Sequence, residues 1–166
     1  MNLIPVLLVV GLVYDGQKSN EAFLAAAKTQ RTNTVSEKIQ KSQDEWKKSL
    51  APMRFYVLRQ KGTERPFSGK YNSHSEKGLY LCAGCGNELF GSEEKIDSHC
   101  GWPSFSAPVN TQNVAQDTDT SHNMVRTEIT CSRCGGHLGH LFKDGPGPTG
   151  LRYCINSTAL DFKQEK

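Results

Sequence analysis

Apolar and polar positions change rhythm twice along the chain. Asn2 to Tyr14 (NLIPVLLVVGLVY) is uncharged but shorter than the roughly 17 to 25 residues of a bilayer-spanning helix. The length suits the apolar part of a secretory signal, yet no Lys or Arg precedes it and the small-residue site Ala25-Ala26-Ala27 is distant. The run fits a cytoplasmic protein with a docked helix or an exported or membrane-tethered one. Residues 15–41 are polar and weakly patterned, as in a solvated helix or linker, so 1–41 form an N-terminal extension without assigned chemistry. A capping box, Ser42-x-x-Glu45, then opens a segment in which Trp46 and Leu50 recur four residues apart. That spacing predicts a short amphipathic helix. Pro52 ends it or begins the next turn, Met53 to Arg59 predicts a second short helix, and Arg65 to Gly69 reads as a loop.

From Leu79 onward the period changes to two. Short alternating runs at Leu79–Leu81, Met124–Thr130 and Arg152–Ser157 are separated by Gly, Pro, Asn and Asp. This is the pattern of an antiparallel β domain, so the expected fold is mainly β with short N-terminal helices. A length of 166 residues fits one domain, 42–166, behind the extension. The net charge of +3 is spread over both parts without a polybasic arm, which argues against a nucleic-acid partner.

Six cysteines are the most informative residues. Cys82-Ala-Gly-Cys85 and Cys131-Ser-Arg-Cys134 each place two sulfurs on one tight turn, and two such turns complete a tetrahedral thiolate set. Zn2+ is the expected ion. Four protein ligands leave no open position, so its role is structural. Gly86 and Gly135 follow the pairs and let the backbone curl back toward the metal. The competing reading is two separate redox-active pairs.

Cys100 and Cys154 remain, and two spare thiols permit one disulfide. A strand over Arg152-Tyr-Cys-Ile-Asn156 puts Arg152, Cys154 and Asn156 on a polar face and Tyr153 and Ile155 on the core face. A guanidinium beside a thiol favours the thiolate. Lowering a thiol pKa from about 8.5 to about 6 raises the ionised fraction at neutral pH from roughly 3% to roughly 90%. Cys154 is therefore the candidate nucleophile, a buried free cysteine being the alternative. Cys100-Gly-Trp-Pro-Ser-Phe105 sets a cysteine beside Trp102, whose flat face suits a methyl or thioether group, or is ordinary core. His137 and His140 are three apart, which shares a face on a helical turn but not on a flat strand; Gly139 could supply a bend. Beside four cysteines they are superfluous as metal ligands, so hydrogen bonding or proton delivery is expected, against a structural role. Asp144 to Gly150 is the turn leading into the Cys154 strand.

Two Cys-x-x-Cys knuckles, CGWPSF at 100–105, HLGHLFKDGP at 137–146 and RYCINS at 152–157 together resemble the B-type peptide-methionine (R)-S-oxide reductases. The likeness runs from about Ser42 to Phe162, the DEWKKSL and TERPFSG stretches included. It implies two antiparallel sheets, a zinc site far from the active site, oxidised proteins carrying methionine (R)-sulfoxide as substrate and thioredoxin or a similar dithiol as reductant, with the protein acting as a monomer. It makes Cys154 the nucleophile, Cys100 the resolving thiol and Trp102 the wall for the sulfoxide methyl. His137, His140 and Asn156 orient the sulfoxide oxygen or a water, Arg152 holds the thiolate side, and His140 is the preferred proton donor. Attack yields a sulfenic acid on Cys154, then a Cys100–Cys154 disulfide. His99, where a small residue is common, and Asn123, where Gly is common, depart from the pattern; His99 is a candidate for tuning Cys100. A zinc-ribbon binding module explains four cysteines, not six, and a general disulfide oxidoreductase would keep its active pair close in sequence.

Overall fold

A computed structural model describes residues 37–165. Asn2–Tyr14 and most of the 1–41 extension lie outside these residues, and among the described residues no helix is long and apolar enough to cross a membrane. Helix α1 (Gln43–Ser49) begins with the expected capping box: Ser42 Oγ accepts the Glu45 N–H, and the Glu45 carboxylate accepts the Ser42 N–H at 2.7 Å. Pro52 sits in the first turn of α2 (Pro52–Gln60), where its missing N–H costs no helical bond. Trp46, Val57 and Leu58 carry the helices onto the core. Upstream of α1, the Ile39 N–H donates to the Arg133 carbonyl, so the chain already touches the β domain there.

Among the described residues nine strands follow: β1 (Gly78–Cys82), β2 (Glu88–Gly91), β3 (Lys95–Ile96), β4 (Ser104–Phe105), β5 (Val114–Asp119), β6 (Arg126–Cys131), β7 (His137–Phe142), β8 (Arg152–Ile155) and β9 (Leu160–Gln164). They form a small sheet ordered β2-β1-β9 and a larger one ordered β3-β4-β8-β7-β6-β5, with every pairing antiparallel. The mainly β, two-sheet expectation is met. The core lies between the sheets: Phe90 of the small sheet stacks on Phe105 of the large one at 4.4 Å between centroids, and Tyr80 meets Phe105 edge-on at 5.0 Å. Burying one such ring is worth about 1.5–3 kcal/mol.

Two strands stop short of their apolar runs. β6 begins at Arg126, leaving Met124 and Val125 exposed, because His122 and Asn123 adopt left-handed backbone (φ 56° and 57°) in the turn before it. β8 ends at Ile155, and Asn156 opens a 3-10 turn over Ser157–Ala159.

Candidate functional site

Strand β8 places the central cysteine. Its alternation buries Tyr153 and Ile155 and leaves Arg152 and Cys154 half-buried on the other face, as the sequence period requires. Cys154 lies opposite Ser104 of β4 on one side and opposite His140 of β7 on the other. The pairing with β4 delivers the Cys100–Trp102 loop to the same place. Cys100 Sγ stands 3.6 Å from Cys154 Sγ across 54 positions of sequence. A pocket of about 110 Å³ opens beside Cys154, walled by Trp102, His140, Phe142, Arg126, Thr63 and Asn156.

The histidines share a face for a reason the sequence pattern does not contain. In the β6–β7 ladder Ile129 pairs with Gly139 but Thr130 pairs with His137, so Leu138 is an extra residue and the parity of β7 flips. The bulge, not a bend at Gly139, brings His137 and His140 to 5.4 Å between ring centroids. Gly139 instead makes room for the neighbouring strand, since a Cβ there would overlap the Cys154 carbonyl and keep β8 from approaching.

The two imidazoles are nevertheless in unlike settings. His140 lines the pocket and its Nε2 is 2.7 Å from Asp119 Oδ2. The Asp119 carboxylate also accepts the Ser121 N–H at 2.9 Å and the Arg126 guanidinium at 2.7 Å. Those bonds from Ser121, with His140 and Arg126 adding to them, hold its carboxyl well below the usual carboxylate range. His137 lies behind, 3% exposed, with Nδ1 on Glu128 Oε1 at 2.7 Å and Nε2 buried without a partner among the described residues. Burial lowers its pKa despite the opposing pull of Glu128. Glu128 is itself buried and bonded to Lys61 Nζ at 2.6 Å.

Asn156 is 4% exposed and spans two backbones: Oδ1 accepts the Glu64 N–H at 3.1 Å, and Nδ2 donates to the Leu138 carbonyl at 3.0 Å. Its amide thus borders the pocket while tying three segments together. Glu64 is a second hub. Its carbonyl accepts the Trp102 indole N–H at 3.2 Å, and its buried carboxylate accepts the N–H groups of Ser157 and Thr158 and the Thr158 hydroxyl.

One expectation is corrected. Arg152 was expected to make Cys154 the readily ionised thiol, but the Cys154 thiol is pushed up to about 12 by burial and by the neighbouring Cys100. Arg152 lowers it too weakly to compensate, because the guanidinium is committed bidentately to Asp144 at 2.8 and 2.9 Å and stacks on Phe142. Cys100 moves the other way. Burial raises its thiol, yet the Ser104 and Ser98 hydroxyls beside the sulfur bring it below the ordinary value. Two sulfurs this close behave as one coupled pair, in which the first charge suppresses the second. His99 touches Asp97, 3.3 Å away, and both side chains are exposed; no hydrogen bond among the described residues joins it to the Cys100 sulfur.

The other four cysteines meet apart from this pocket, where the β1–β2 and β6–β7 turns come together. All four sulfurs lie within 4.8 Å of one another, with Cys82–Cys134 and Cys85–Cys131 each at 3.6 Å. A tetrahedral ion with Zn–S of about 2.3 Å requires sulfurs roughly 3.8 Å apart, so the set fits it. Gly86 and Gly135 are left-handed and their N–H groups donate back to the Cys82 and Cys131 carbonyls at 2.7 and 2.8 Å, as the knuckle reading requires. Sequence reasoning missed Glu64, Asp119, Arg126, Glu128, Ser98 and Ser104. Glu64 lies in TERPFSG, so its stretch was visible though its partners were not.

Comparison with known proteins is consistent across the domain. A family model described as the SelR domain matches residues 50–164. The chain is 56% identical over 130 residues to a peptide methionine sulfoxide reductase MsrB of Bradyrhizobium diazoefficiens, covering 78% of this chain and 94% of that protein. It is 57% identical over 128 residues to the Methanosarcina barkeri protein of the same name, covering 77% and 90%. A Pseudomonas putida relative of that name is 56% identical over 126 residues, covering 76% and 96%.

Proposed function

The chain belongs to the B-type methionine sulfoxide reductase family, and from that premise we propose that it reduces methionine (R)-sulfoxide in oxidised proteins through Cys154 and Cys100. The observation that carries the proposal is the pair of sulfurs 3.6 Å apart beside a pocket walled by Trp102 and His140. The sulfoxide methyl packs on the Trp102 face, and the oxygen is directed toward His140. A sulfoxide oxygen leaves only when protonated. His140 is the better donor of the two imidazoles. It lines the pocket, and its ring is held in place by the Asp119 carboxylate, whereas His137 is buried in a setting that favours the neutral ring.

Cys154 attacks the sulfoxide sulfur, methionine leaves, and Cys154 retains the oxygen as a sulfenic acid. Its thiol proton must go as the new bond forms, and the oxygen accepting a proton nearby is the sulfoxide's own. Cys100 then attacks the Cys154 sulfur to form the disulfide, expelling water, and thioredoxin or a similar dithiol reduces the bridge. Asn156 and Arg152 act by position: the first joins the Glu64 and Leu138 backbones at the end of the Cys154 strand, the second anchors the start of β8 to Asp144. We assign the reductase domain to 42–166, acting as a monomer, with 1–41 as an extension.

Cys82, Cys85, Cys131 and Cys134 would hold one Zn2+, supplying cross-links between the two knuckle turns and no step of the reaction. The test uses separated R and S sulfoxides with dithiothreitol. Turnover of R alone, abolished in Cys154→Ser, is expected; equal turnover of both epimers would overturn the proposal.

A further inference from the structure

Cys100 sits in a hydroxyl cage for which the attack by Cys154 has no use. Ser98 Oγ lies 3.0 Å from Cys100 Sγ, Ser104 Oγ lies 3.5 Å from it, and the two hydroxyls are 2.7 Å apart. Ser104 is 1% exposed, and its strand pairing with Cys154 fixes it relative to the other sulfur. Each hydroxyl has a single proton to give. Ser98 donates to the sulfur, so the proton between the two hydroxyls is the one on Ser104, for which Ser98 at 2.7 Å is a nearer acceptor than the Trp102 carbonyl at 3.3 Å; the two bonds then run in series and each polarises the next.

We infer that Ser98 and Ser104 are positioning residues of the disulfide-forming step: their hydroxyls, in series, hold the Cys100 sulfur as a thiolate beside Cys154. The inference rests on the proposal that Cys100 resolves the sulfenic acid. In that step the Cys100 thiolate gives an electron pair to the Cys154 sulfur, the S–S bond forms as the S–O bond breaks, and hydroxide leaves to become water by taking a proton. Cys100 is oxidised and Cys154 reduced. The direction of the Cys100 pKa agrees: burial raises it, and the Ser104 and Ser98 hydroxyls beside the sulfur, with a backbone bond at Trp102 and the Cys154 thiol, more than offset that rise. The ionisable groups around it are Cys154 at 3.6 Å, Arg152, which is tied to Asp144, and the exposed Asp97–His99 pair. Of these, Cys154 alone is hydrogen-bonded to the Cys100 sulfur.

The test compares wild type, Ser98→Ala and Ser98→Thr in metal-loaded protein. Two quantities are read: the pH dependence of Cys100 alkylation by iodoacetamide in a Cys154→Ser background, resolved by peptide mass spectrometry, and the rate of bridge formation after one equivalent of sulfoxide. Ser98→Ala should move the alkylation midpoint up by about one pH unit and slow bridge formation about tenfold at pH 7, the gap closing above the new midpoint. Ser98→Thr, which keeps the hydroxyl, should restore both. An unmoved midpoint, or a slowing equal at every pH, overturns the inference while leaving the functional proposal intact. Wild-type protein that consumes sulfoxide without forming the bridge overturns both.

Discussion

Replacing Glu64 by glutamine probes the hub under the pocket. Its carboxylate, in a residue 3% exposed, accepts the Ser157 N–H at 2.5 Å through Oε1, and the Thr158 N–H at 2.8 Å and hydroxyl at 2.5 Å through Oε2. Glutamine keeps one oxygen and turns the other into an NH2. In the cheaper orientation its oxygen takes the Oε2 position, and the Ser157 N–H is left buried against another donor. An orphaned buried donor costs about 1–3 kcal/mol, and weakening of the remaining charge-assisted bonds adds about 1. The expected loss is about 3 kcal/mol, a large part of a typical domain stability of about 5–15 kcal/mol. The same change loosens Trp102, whose indole N–H donates to the Glu64 carbonyl, and Asn156, which accepts the Glu64 N–H. Urea unfolding read by fluorescence, with steady-state kinetics on folded protein at low temperature, separates the two effects. The unfolding midpoint should fall with unchanged slope, and KM should rise more than kcat falls. A stability change below about 0.5 kcal/mol would refute the assignment of Glu64 as a hub.

Asp119→Asn should lower kcat about tenfold or more with little change in KM, by removing the carboxylate that holds the His140 ring at 2.7 Å; steady-state kinetics checks it, and an unchanged kcat contradicts it. In reduced protein without substrate, iodoacetamide should label Cys100 before Cys154. The Cys100 thiol lies below its ordinary value while Cys154 holds its proton until about pH 12. The sign follows for stability too: a thiol whose folded pKa is raised contributes fully below the unfolded value and loses that contribution between about pH 9 and 12. Alkylation rates resolved by peptide across pH 6–11 would test the order. Removing the metal with a strong chelator should unfold the domain. Zinc binding in zinc-finger peptides is worth on the order of 10–16 kcal/mol against a stability of about 5–15. Far-UV dichroism with metal analysis reads this out, and a metal-free protein that stays folded contradicts it.

Features encoded within a few residues were legible in the sequence. The Ser42–Glu45 box needs no knowledge of the rest of the chain, and the alternation at Arg152–Ile155 sorts its own faces. The knuckles were legible because each closes on itself. Features that depend on register were hidden. The approach of Cys100 to Cys154 follows from the Ser104–Cys154 pairing, and the shared face of His137 and His140 from one extra residue at Leu138. Glu64 and Glu128 were missed because an acidic residue reads as solvent-exposed until its backbone and lysine partners are known. The Arg152 argument erred for the same reason: adjacency on a strand face says nothing of Asp144, which claims the guanidinium first.

The most direct measurement adds one equivalent of methionine (R)-sulfoxide to reduced, metal-loaded protein without an external reductant, then maps its disulfides and counts its metal by mass spectrometry. One methionine released per chain, a single Cys100–Cys154 bridge, and one zinc still held by Cys82, Cys85, Cys131 and Cys134 are predicted. Methionine released without that bridge, or a metal coordinated by Cys100 or Cys154, would contradict the account.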